Sequence, residues 1–293
     1  MIAAACGRVA YVRRFETNAH IVAPDLTEEA VARLKDAPNP RAREVSERLI
    51  RHLHAFVREI RPSPQEWSLA IDFLTRTGHS CTDTRQEFIL LSDVLGVSML
   101  VELINNPEGE NVTSNTVLGP FFTQGQPVMP MGSSILKRDE PGEPLLIHGE
   151  VRDVRGHPVD GARIDVWQTS PNGLYDIQET GAPQGHLRGA FVTGPDGRYA
   201  VRTIVPTSYP LPDDGPVGQW LRAVSRPAWR PAHTHFLIHK EGLQTLTTHL
   251  FVAGDAHLAT DAVFGVRRDL VVTPVHGPEG LEVLYDFGLR DPV

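Results

Sequence analysis

Apolar side chains in the first third of the chain recur at the spacing of an α-helix. In "REVSERLIRHLHAFVREI", residues 43–60, they lie three or four positions apart and form one stripe along a helix. The stripe consists of Val45, Leu49, Leu53, Phe56, Val57 and Ile60. Asp25 with Glu28, and Ser63 with Glu66, have the spacing of capping boxes that begin helices. The pattern therefore predicts helices from residue 25 to about residue 110.

A second stretch, "QEFILLSDVLGVSMLVELI" at residues 86–104, is apolar on nearly every side. This pattern predicts a single helix that must be buried, either inside its own domain or against a second subunit. A domain of about 80 helical residues offers little core. We therefore expect part of this helix to be covered by a second subunit.

After Pro107 the periodicity changes to that of β-strands. Short alternating or β-branched runs, such as "LLIHGEVRDV" and "LTTHLFVAG", are separated by turns rich in Gly, Pro, Asp and Asn. Residues 194–197, Gly-Pro-Asp-Gly, predict a hairpin connection. The chain is thus predicted to be an α+β protein with three parts. These are an arm or start-site extension at 1–24, a helical linker and dimerisation domain at 25–110, and a mainly antiparallel β-sandwich at 111–293.

Composition narrows the classes of partner. Hydrophobic residues make up 41% and charged residues 22% of the 293, the net charge is −8, and no block of Lys or Arg occurs. We therefore expect no nucleic-acid partner and no membrane partner. In "MIAAACGRVAYVRR" the arginines follow the apolar run, which is the reverse of a secretory signal. The two cysteines, Cys6 and Cys81, suit a reducing compartment, so we expect a cytoplasmic protein.

His233 and His235 are the first candidates for chemistry. The run "HTHF" fits a strand, in which residues i and i+2 point to the same face. Both imidazoles can then reach one metal ion. Taken alone, however, the pair is better explained as two histidines on a polar sheet face.

Two tyrosines make the metal more plausible. Tyr175 in "DVWQTSPNGLYDIQ" and Tyr209 in "RTIVPTSYPLPDDGPVG" follow strands, in loops rich in proline and glycine. Each of them, taken alone, is more simply an aromatic side chain packed at a sheet edge. As a pair beside the histidines they favour Fe(III), because a phenol with a pKa near 10 needs a strong Lewis acid to hold it deprotonated. Two phenolates and two imidazoles leave Fe(III) with one positive charge, which a bound hydroxide neutralises.

The segments "GLYDIQ", "IVPTSYP" and "RPAHTHF" together resemble the iron-binding segments of the intradiol ring-cleaving dioxygenases. With "TVLGPFF" and the helical half, the resemblance covers about residues 25–290. It implies one Fe(III) per subunit, bound by Tyr175, Tyr209, His233 and His235. It also implies a catalytic β-sandwich and a helical domain that pairs two subunits as a homodimer. Members of the family carry a lipid-like molecule in that interface, and the apolar helix at 86–104 permits a phospholipid here.

The resemblance assigns catalytic roles to two residues. Tyr209 is the ligand that leaves the metal when a diol binds, and it accepts one of the two protons that the diol loses. Arg230, three residues before His233, is the arginine that stabilises negative charge developing on the substrate ring. Without the motif, a surface salt bridge would be the simpler interpretation of Arg230.

The predicted substrate is hydroxyquinol (1,2,4-trihydroxybenzene), cleaved with O2. Asp93 stands where catechol enzymes carry proline after "LLS", and it can accept a hydrogen bond from a third ring hydroxyl. A surface aspartate is the alternative, which its apolar neighbours disfavour. His249 stands where catechol enzymes carry glutamine, and the stretch from there to "DAVFGVRRDLVV" is similar to hydroxyquinol 1,2-dioxygenases in particular. By family position the substrate pocket is lined by Leu90, Asp93, Val117, Gly119, Pro120, Phe121, Leu211, Pro212, Arg230, His249 and Val263.

The expected product is 3-hydroxy-cis,cis-muconate, the tautomer of maleylacetate. A catechol or chlorocatechol 1,2-dioxygenase that forms cis,cis-muconates is the alternative enzyme. Leucines at positions 118 and 211 differ from the residues usual in hydroxyquinol enzymes, which leaves substituted hydroxyquinols and some catechol activity open. A metal-free β-sandwich binding module is the non-enzymatic alternative, and the presence of all four candidate ligands disfavours it.

Overall fold

The computed structural model describes residues 25–83, 85–278 and 280–292. The arm predicted for residues 1–24 lies outside the described residues. The chain forms two compact units that divide between Ala70 and Ile71. The boundary near residue 110, between a helical domain and a sandwich, stays a prediction. In the described part of the chain, no helix has both the length and the apolar character needed to cross a membrane.

The first unit contains α1 (Leu26–Ala32), α2 (Pro40–Ile60) and the start of α3 (Pro64–His79). The capping box at α3 is present: Ser63 N donates to the Glu66 carboxylate at 2.7 Å, and Glu66 N donates to the Ser63 hydroxyl at 3.2 Å. At α1, Asp25 accepts from Thr27 N, whereas Glu28 pairs with Arg51 instead of closing a box. The apolar stripe of α2 exists, but none of its residues is buried by the part of the chain that the structure describes.

The helix predicted for residues 86–104 is two helices, α4 (Glu87–Val94) and α5 (Val97–Asn105). Gly96 interrupts them with a φ of 74°, in the left-handed region that ends a helix. The prediction of one continuous helix was therefore wrong. The segment is also not buried on every side, as its apolar pattern predicted. Val94 and Met99 are buried, whereas Ile104 is 69% exposed.

In chain order the described strands are β1 (Pro144–Asp153), β2 (Arg163–Trp167), β3 (Arg188–Val192), β4 (Arg198–Ile204), β5 (Tyr209–Pro210), β6 (Trp229–Arg230), β7 (His233–His239), β8 (Leu246–Val252), β9 (Val271–Val272), β10 (Val275–Gly277), β11 (Gly280–Leu284) and β12 (Phe287–Leu289). Helix α6 (Pro216–Ala223) lies between β5 and β6 in sequence, and a 3-10 turn, Arg268–Leu270, precedes β9.

The strands of the described residues form two five-stranded sheets and a two-stranded ribbon, which confirms the α+β class. The first sheet has the order β10-β11-β1-β12, with β4 also paired to β1, and the second has the order β3-β2-β7-β8-β9. β5 pairs with β6. Pairings of β1 with β11 and β12, and of β8 with β9, are parallel, and the others are antiparallel.

Residues 194–197 form a tight turn, in which Gly197 N donates to Gly194 O at 2.9 Å. The turn does not close a hairpin, because β3 pairs with β2 in one sheet while β4 pairs with β1 in the other. The predicted hairpin was therefore wrong. The turn instead carries the chain from one sheet of the sandwich to the other.

The main hydrophobic core is built from residues of both five-stranded sheets. Ile147 on β1, Ile164 on β2 and Phe236 on β7 are among its fully buried members. Because side chains alternate along a strand, Phe236 and Ile238 face this core while His233 and His235 face the opposite side of β7. The core thus determines which side of the sheet presents the histidines.

Candidate metal centre

The two histidines of β7 lie side by side and are buried. Their Nε2 atoms are 3.1 Å apart, and each residue is 2% exposed. His233 Nδ1 donates to the carbonyl oxygen of Pro231 at 2.6 Å, so its Nε2 is the nitrogen free to bind a metal. The spacing in sequence therefore brings both imidazoles to one point, as the strand pattern predicts.

Tyr175 and Tyr209 reach the same point from two other segments. Tyr175 lies in the loop after β2, and Tyr209 begins β5, where it pairs with Arg230 of β6. The Tyr175 hydroxyl is 2.7 Å from His235 Nε2 and 2.9 Å from the Tyr209 hydroxyl. Four residues spread over 61 positions of the sequence thus place their donor atoms together.

Neighbouring side chains hold the ligand rings in place. The ring of Trp167 stacks on His235 with centroids 4.6 Å apart, and that of Phe121 stacks on Tyr175 at 4.7 Å. Behind Tyr175, Arg188 donates to the Asp176 carboxylate at 2.5 Å in a buried ion pair. The candidate ligands are therefore buried among packed aromatic rings rather than exposed on the surface.

The protonation states suit a strong Lewis acid. Burial raises the pKa of the Tyr175 and Tyr209 phenols, which stay protonated unless a metal replaces the proton. Burial lowers the pKa of His233 and His235, so both imidazoles are neutral and able to ligate. Two phenol oxygens and two imidazole nitrogens form a hard, dianionic donor set once deprotonated. The residues present therefore fit Fe(III).

Arg230 is buried beside the ligands and remains charged. Its Nη1 is 3.2 Å from His233 Nε2, and its Nη2 has no hydrogen-bond partner among the described residues. Burial acts to lower the pKa of this guanidinium, but the Asp261 carboxylate and the two tyrosines raise it above its ordinary value. Arg230 thus offers an uncommitted N–H group in a site that excludes water.

Asp261 is a residue that the sequence did not single out. Its carboxylate accepts from Arg230 Nε at 3.2 Å and from Gly265 N at 2.8 Å, and its side chain is 2% exposed. In sequence it is one acidic residue in a loop, 31 positions after Arg230. The signal that could have found it is its place two residues before Val263, in the stretch that resembles the family.

His249 lies directly beside the two candidate histidine ligands. It pairs with His235 across β7 and β8, and their ring centroids are 4.1 Å apart. Its Nδ1 is 2.8 Å from the Thr116 hydroxyl, and its Nε2 has no partner in the described part of the chain. The residue assigned to the substrate pocket is therefore also close enough to take part in metal binding.

The other predicted pocket residues lie together in the second unit. Leu90, Val117, Leu211 and Val263 belong to one buried apolar cluster, and Leu90, Pro120, Phe121 and Pro212 line a cavity of about 260 Å³. A larger cavity, of about 680 Å³, extends along β1, β4 and β11 and includes none of them.

Two further predicted pocket residues lie near the site: Gly119 is close to His235, and Asp93 is close enough to Arg230 to be affected by its charge. Gly119 adopts a φ of 76°, and a Cβ atom there would lie 3.7 Å from the His235 ring. Asp93 is 3% exposed, and burial raises the pKa of its carboxyl group, against the opposing effects of Ser98 and Arg230. Asp93 is therefore not the surface aspartate of the alternative interpretation.

Comparisons with known proteins agree with this arrangement. The family described as catechol dioxygenase N terminus matches residues 39–113, and the family described as dioxygenase matches residues 117–291. The chain is 47% identical to the 6-chlorohydroxyquinol 1,2-dioxygenase of Cupriavidus pinatubonensis, over 91% of this chain and 96% of that protein. It is 49% identical to the hydroxyquinol 1,2-dioxygenase of a Rhizobium species, over 83% of each chain. The crystal structure of hydroxyquinol 1,2-dioxygenase from Pseudomonas putida DLL-E4 matches with a TM-score of 0.84 and 44% identity, over 91% of this chain and 98% of that one. The chain therefore belongs to the intradiol ring-cleaving dioxygenase family.

Proposed function

We propose that the protein cleaves hydroxyquinol with O2 between its two adjacent hydroxylated carbons, using one Fe(III) per subunit bound by Tyr175, Tyr209, His233 and His235. Both oxygen atoms enter the product, 3-hydroxy-cis,cis-muconate, which tautomerises to maleylacetate. The observation that carries the proposal is the buried Asp93 carboxylate in the unit that also gathers two tyrosines and two histidines. The hydroxyquinol-cleaving names of the most similar relatives support the same substrate.

When bound, Fe(III) supplies a Lewis acid that binds the deprotonated diol and makes its ring reactive towards O2. A diol bound at the site would give up two protons, one to the hydroxide that neutralises the site and one to Tyr209. Tyr209 suits this role, because burial raises the pKa of its phenol and makes its deprotonated oxygen a strong base. Arg230, whose backbone pairs with that of Tyr209, acts in the opposite direction by stabilising the deprotonated phenol.

Arg230 and the apolar walls act on the bound ring. The guanidinium is fixed, charged and buried, so its free Nη2 group stabilises negative charge that develops on the ring without first reorganising. Leu90, Val117, Leu211 and Val263 exclude water and match a small aromatic substrate. Arg230 therefore has a catalytic role, whereas the apolar wall residues position the substrate.

Asp93 selects the third hydroxyl. It lies one turn of α4 after Leu90, on the same face of the helix, and its carboxylate can accept a hydrogen bond from the ring hydroxyl that catechol lacks. Catechol has no hydroxyl to donate to the Asp93 carboxylate. Leaving a buried polar group unpaired costs about 1–3 kcal/mol, so catechol should be the poorer substrate.

The first test is oxygen uptake by the purified, iron-loaded protein with hydroxyquinol and with catechol at matched concentrations. Autoxidation of hydroxyquinol is measured without protein and subtracted. We expect a strong preference for hydroxyquinol. Equal or faster turnover of catechol would overturn the substrate, and no uptake with either would overturn the dioxygenase assignment.

Replacement of Asp93 tests the origin of that preference. In Asp93→Ala the ratio of kcat/KM for hydroxyquinol to that for catechol should fall by about tenfold, the equivalent of 1.4 kcal/mol. Asp93→Asn is the matched control, since it keeps the size and one acceptor oxygen and should retain most of the preference. An unchanged ratio in Asp93→Ala would show that Asp93 does not select the substrate.

A homodimer through the helical region is part of the proposal. The α2 stripe is exposed, with Leu49 at 56% and Phe56 at 55%, and a second copy of the chain would remove it from water. On α5, Leu100 and Ile104 are also exposed, and their apolar surface suits the acyl chains of a phospholipid. Both features agree with the interface implied by the family resemblance.

A further inference from the structure

We propose that the ion pair between Arg85 and Asp214 limits the size of the aromatic ring that the substrate pocket accepts. Arg85 lies just before α4, which carries Leu90, and Asp214 lies in the loop at residues 211–215, which carries Pro212. The pair therefore ties together two walls of the proposed pocket. The inference rests on the proposed function, because it concerns the substrate range of that same site.

The guanidinium of Arg85 joins the loop to α4 through two carboxylates. Its Nη1 donates to one oxygen of Asp214 at 2.7 Å and its Nη2 to the other at 3.0 Å. Its Nε and Nη2 also donate to Glu87, the first residue of α4, at 3.0 and 2.8 Å. The second oxygen of Glu87 accepts from Val217 N of α6 at 3.1 Å. The planar guanidinium thus fixes both segments in one geometry.

The loop backbone packs directly against this group of charges. A Cβ atom on Gly215 would collide with both Glu87 and Arg85, so the loop approaches them only because residue 215 has no side chain. The hydrogen bonds of Arg85 with Asp214, and then with Glu87, raise the pKa of the guanidinium against the effect of burial. Arg85 in turn lowers the pKa of Asp214. Both members of the pair are therefore charged at neutral pH.

The ion pair lies at the outer end of the cavity that the predicted pocket residues line. Arg85 and Asp214 line the same cavity of about 260 Å³ as Leu90 and Pro212. Leu90 is 4% exposed, whereas the side chain of Asp214 is 69% exposed. Pockets for small molecules usually have volumes of roughly 300–1,000 Å³. A ring with an added substituent therefore needs the two walls to separate.

The contact with Asp214 is the one that opens. Glu87 is buried, with 1% of its side chain exposed, so its contact with Arg85 is shielded from water. The contact with Asp214 is screened by water and salt, and such a pair shifts an equilibrium by about fivefold at most. Arg85 therefore stays with Glu87 on α4 when the loop at 211–215 moves away.

Asp214→Asn tests the proposal, because it removes the charge and keeps the size of the side chain. The kcat/KM for 6-chlorohydroxyquinol and for its bulkier bromo analogue, each relative to hydroxyquinol, should rise by about fivefold, mainly through a lower KM. Asp214→Glu keeps the charge and should retain the wild-type ratios. Asp213→Asn is the matched control: Asp213 is 68% exposed, pairs with Arg222 at 2.6 Å and lies outside the cavity lining. Its ratios should equal those of the wild type.

Hydrogen–deuterium exchange of the backbone amides at 211–215 provides a second measurement that needs no substrate. Exchange should be faster in Asp214→Asn than in the wild type or in Asp213→Asn. Unchanged substrate ratios in Asp214→Asn, an equal rise in Asp213→Asn, or equal exchange in the two variants would each overturn the proposal. A wild type that cleaves no hydroxyquinol would instead overturn the proposed function, so the two failures are distinguishable.

Discussion

At the scale of single residues, the orientation of Arg230 depends on Asp261. One carboxylate oxygen accepts from Arg230 Nε at 3.2 Å and from Val263 N at 3.4 Å, and the other accepts from Gly265 N at 2.8 Å. A Cβ atom on Gly265 would lie 3.2 Å from both Arg230 Nη2 and Asp261 Oδ2, so the absence of a side chain lets this loop pack closely against the pair. Asp261 thus links Arg230, the proposed catalytic arginine, to the loop that carries Val263 of the proposed pocket wall.

Replacement of Asp261 by Asn should lower kcat by about 10²-fold, since small displacements of a catalytic group have effects of this size. Iron content and the visible absorption should stay close to wild type, because Asp261 contacts none of the four proposed iron ligands through a hydrogen bond. Asp72→Asn, which removes an exposed carboxylate paired with Arg76, is the control. Wild-type kcat in Asp261→Asn would show that Arg230 does not need this partner.

His186 gives a pH dependence of stability. Its Nδ1 accepts from Lys137 N at 3.1 Å, its Nε2 donates to Glu140 at 3.1 Å, and burial and then Arg138 lower its pKa below 6.5. The unfolded chain therefore binds the proton first as the pH falls. The stability from this residue is fully present above about pH 6.5 and is lost as the pH falls through the folded-state pKa.

We expect thermal unfolding midpoints between pH 7.5 and 5.5 to fall more steeply for the wild type than for His186→Gln. Glutamine keeps a polar side chain of similar reach but does not titrate. Parallel curves for the two proteins would show that His186 does not contribute to the acid sensitivity.

The sequence indicated the four candidate ligands, which the structure brings together, but not the residues that support them. His233 and His235 follow from strand alternation, which is local, and Tyr175 and Tyr209 follow from motifs in neighbouring loops. Asp261 and Trp167 reach the site through the packing of other segments against the histidines and the arginine, and their residue types alone do not indicate that role. A hydrogen bond between residues 31 positions apart requires the fold to be known first.

At the scale of elements, the glycine between α4 and α5 separates a helix with four buried residues from one in which only Met99 is buried. Gly96 adopts a φ of 74°, and an added Cβ atom would lie 3.3 Å from the Phe264 ring. The apolar pattern of residues 86–104 could not reveal the break. The run of apolar residues continues through Gly96, whereas the helical backbone conformation ends there. The same limit applies to residues 194–197, where the turn was recognisable but the sheet to which each flanking strand belongs was not.

Gly96→Ala should therefore destabilise the protein by about 1–2 kcal/mol from left-handed backbone strain, and by more if Phe264 cannot move. Gly125→Ala is the matched control, since Gly125 has a φ of 83° and nothing within 4 Å of an added Cβ atom. The free energy of unfolding, measured with urea, should fall further in Gly96→Ala than in Gly125→Ala. Equal losses would show that the Phe264 contact has no energetic effect.

At the scale of the whole molecule, two copies with a net charge of −8 repel each other, and burial of the exposed apolar stripe of α2 offsets this repulsion in the proposed dimer. Leu53→Lys places a charge within the stripe and should convert the proposed dimer to a monomer, as measured by sedimentation velocity. Ala55→Lys adds the same charge to the same helix away from the stripe and should leave the dimer intact. A dimer that persists in Leu53→Lys would place the interface elsewhere.

The stacking of Trp167 on His235 has an optical consequence. Trp167 is 2% exposed and its ring lies 4.6 Å from that of a proposed iron ligand, whereas Trp67 and Trp229 are 61% and 41% exposed. A coloured ferric centre at this distance accepts excitation energy from the indole and quenches its fluorescence. Removal of the metal abolishes that absorption and should restore the emission. The protein thus carries an intrinsic fluorophore that reports, in real time and without a label, whether its proposed centre holds Fe(III).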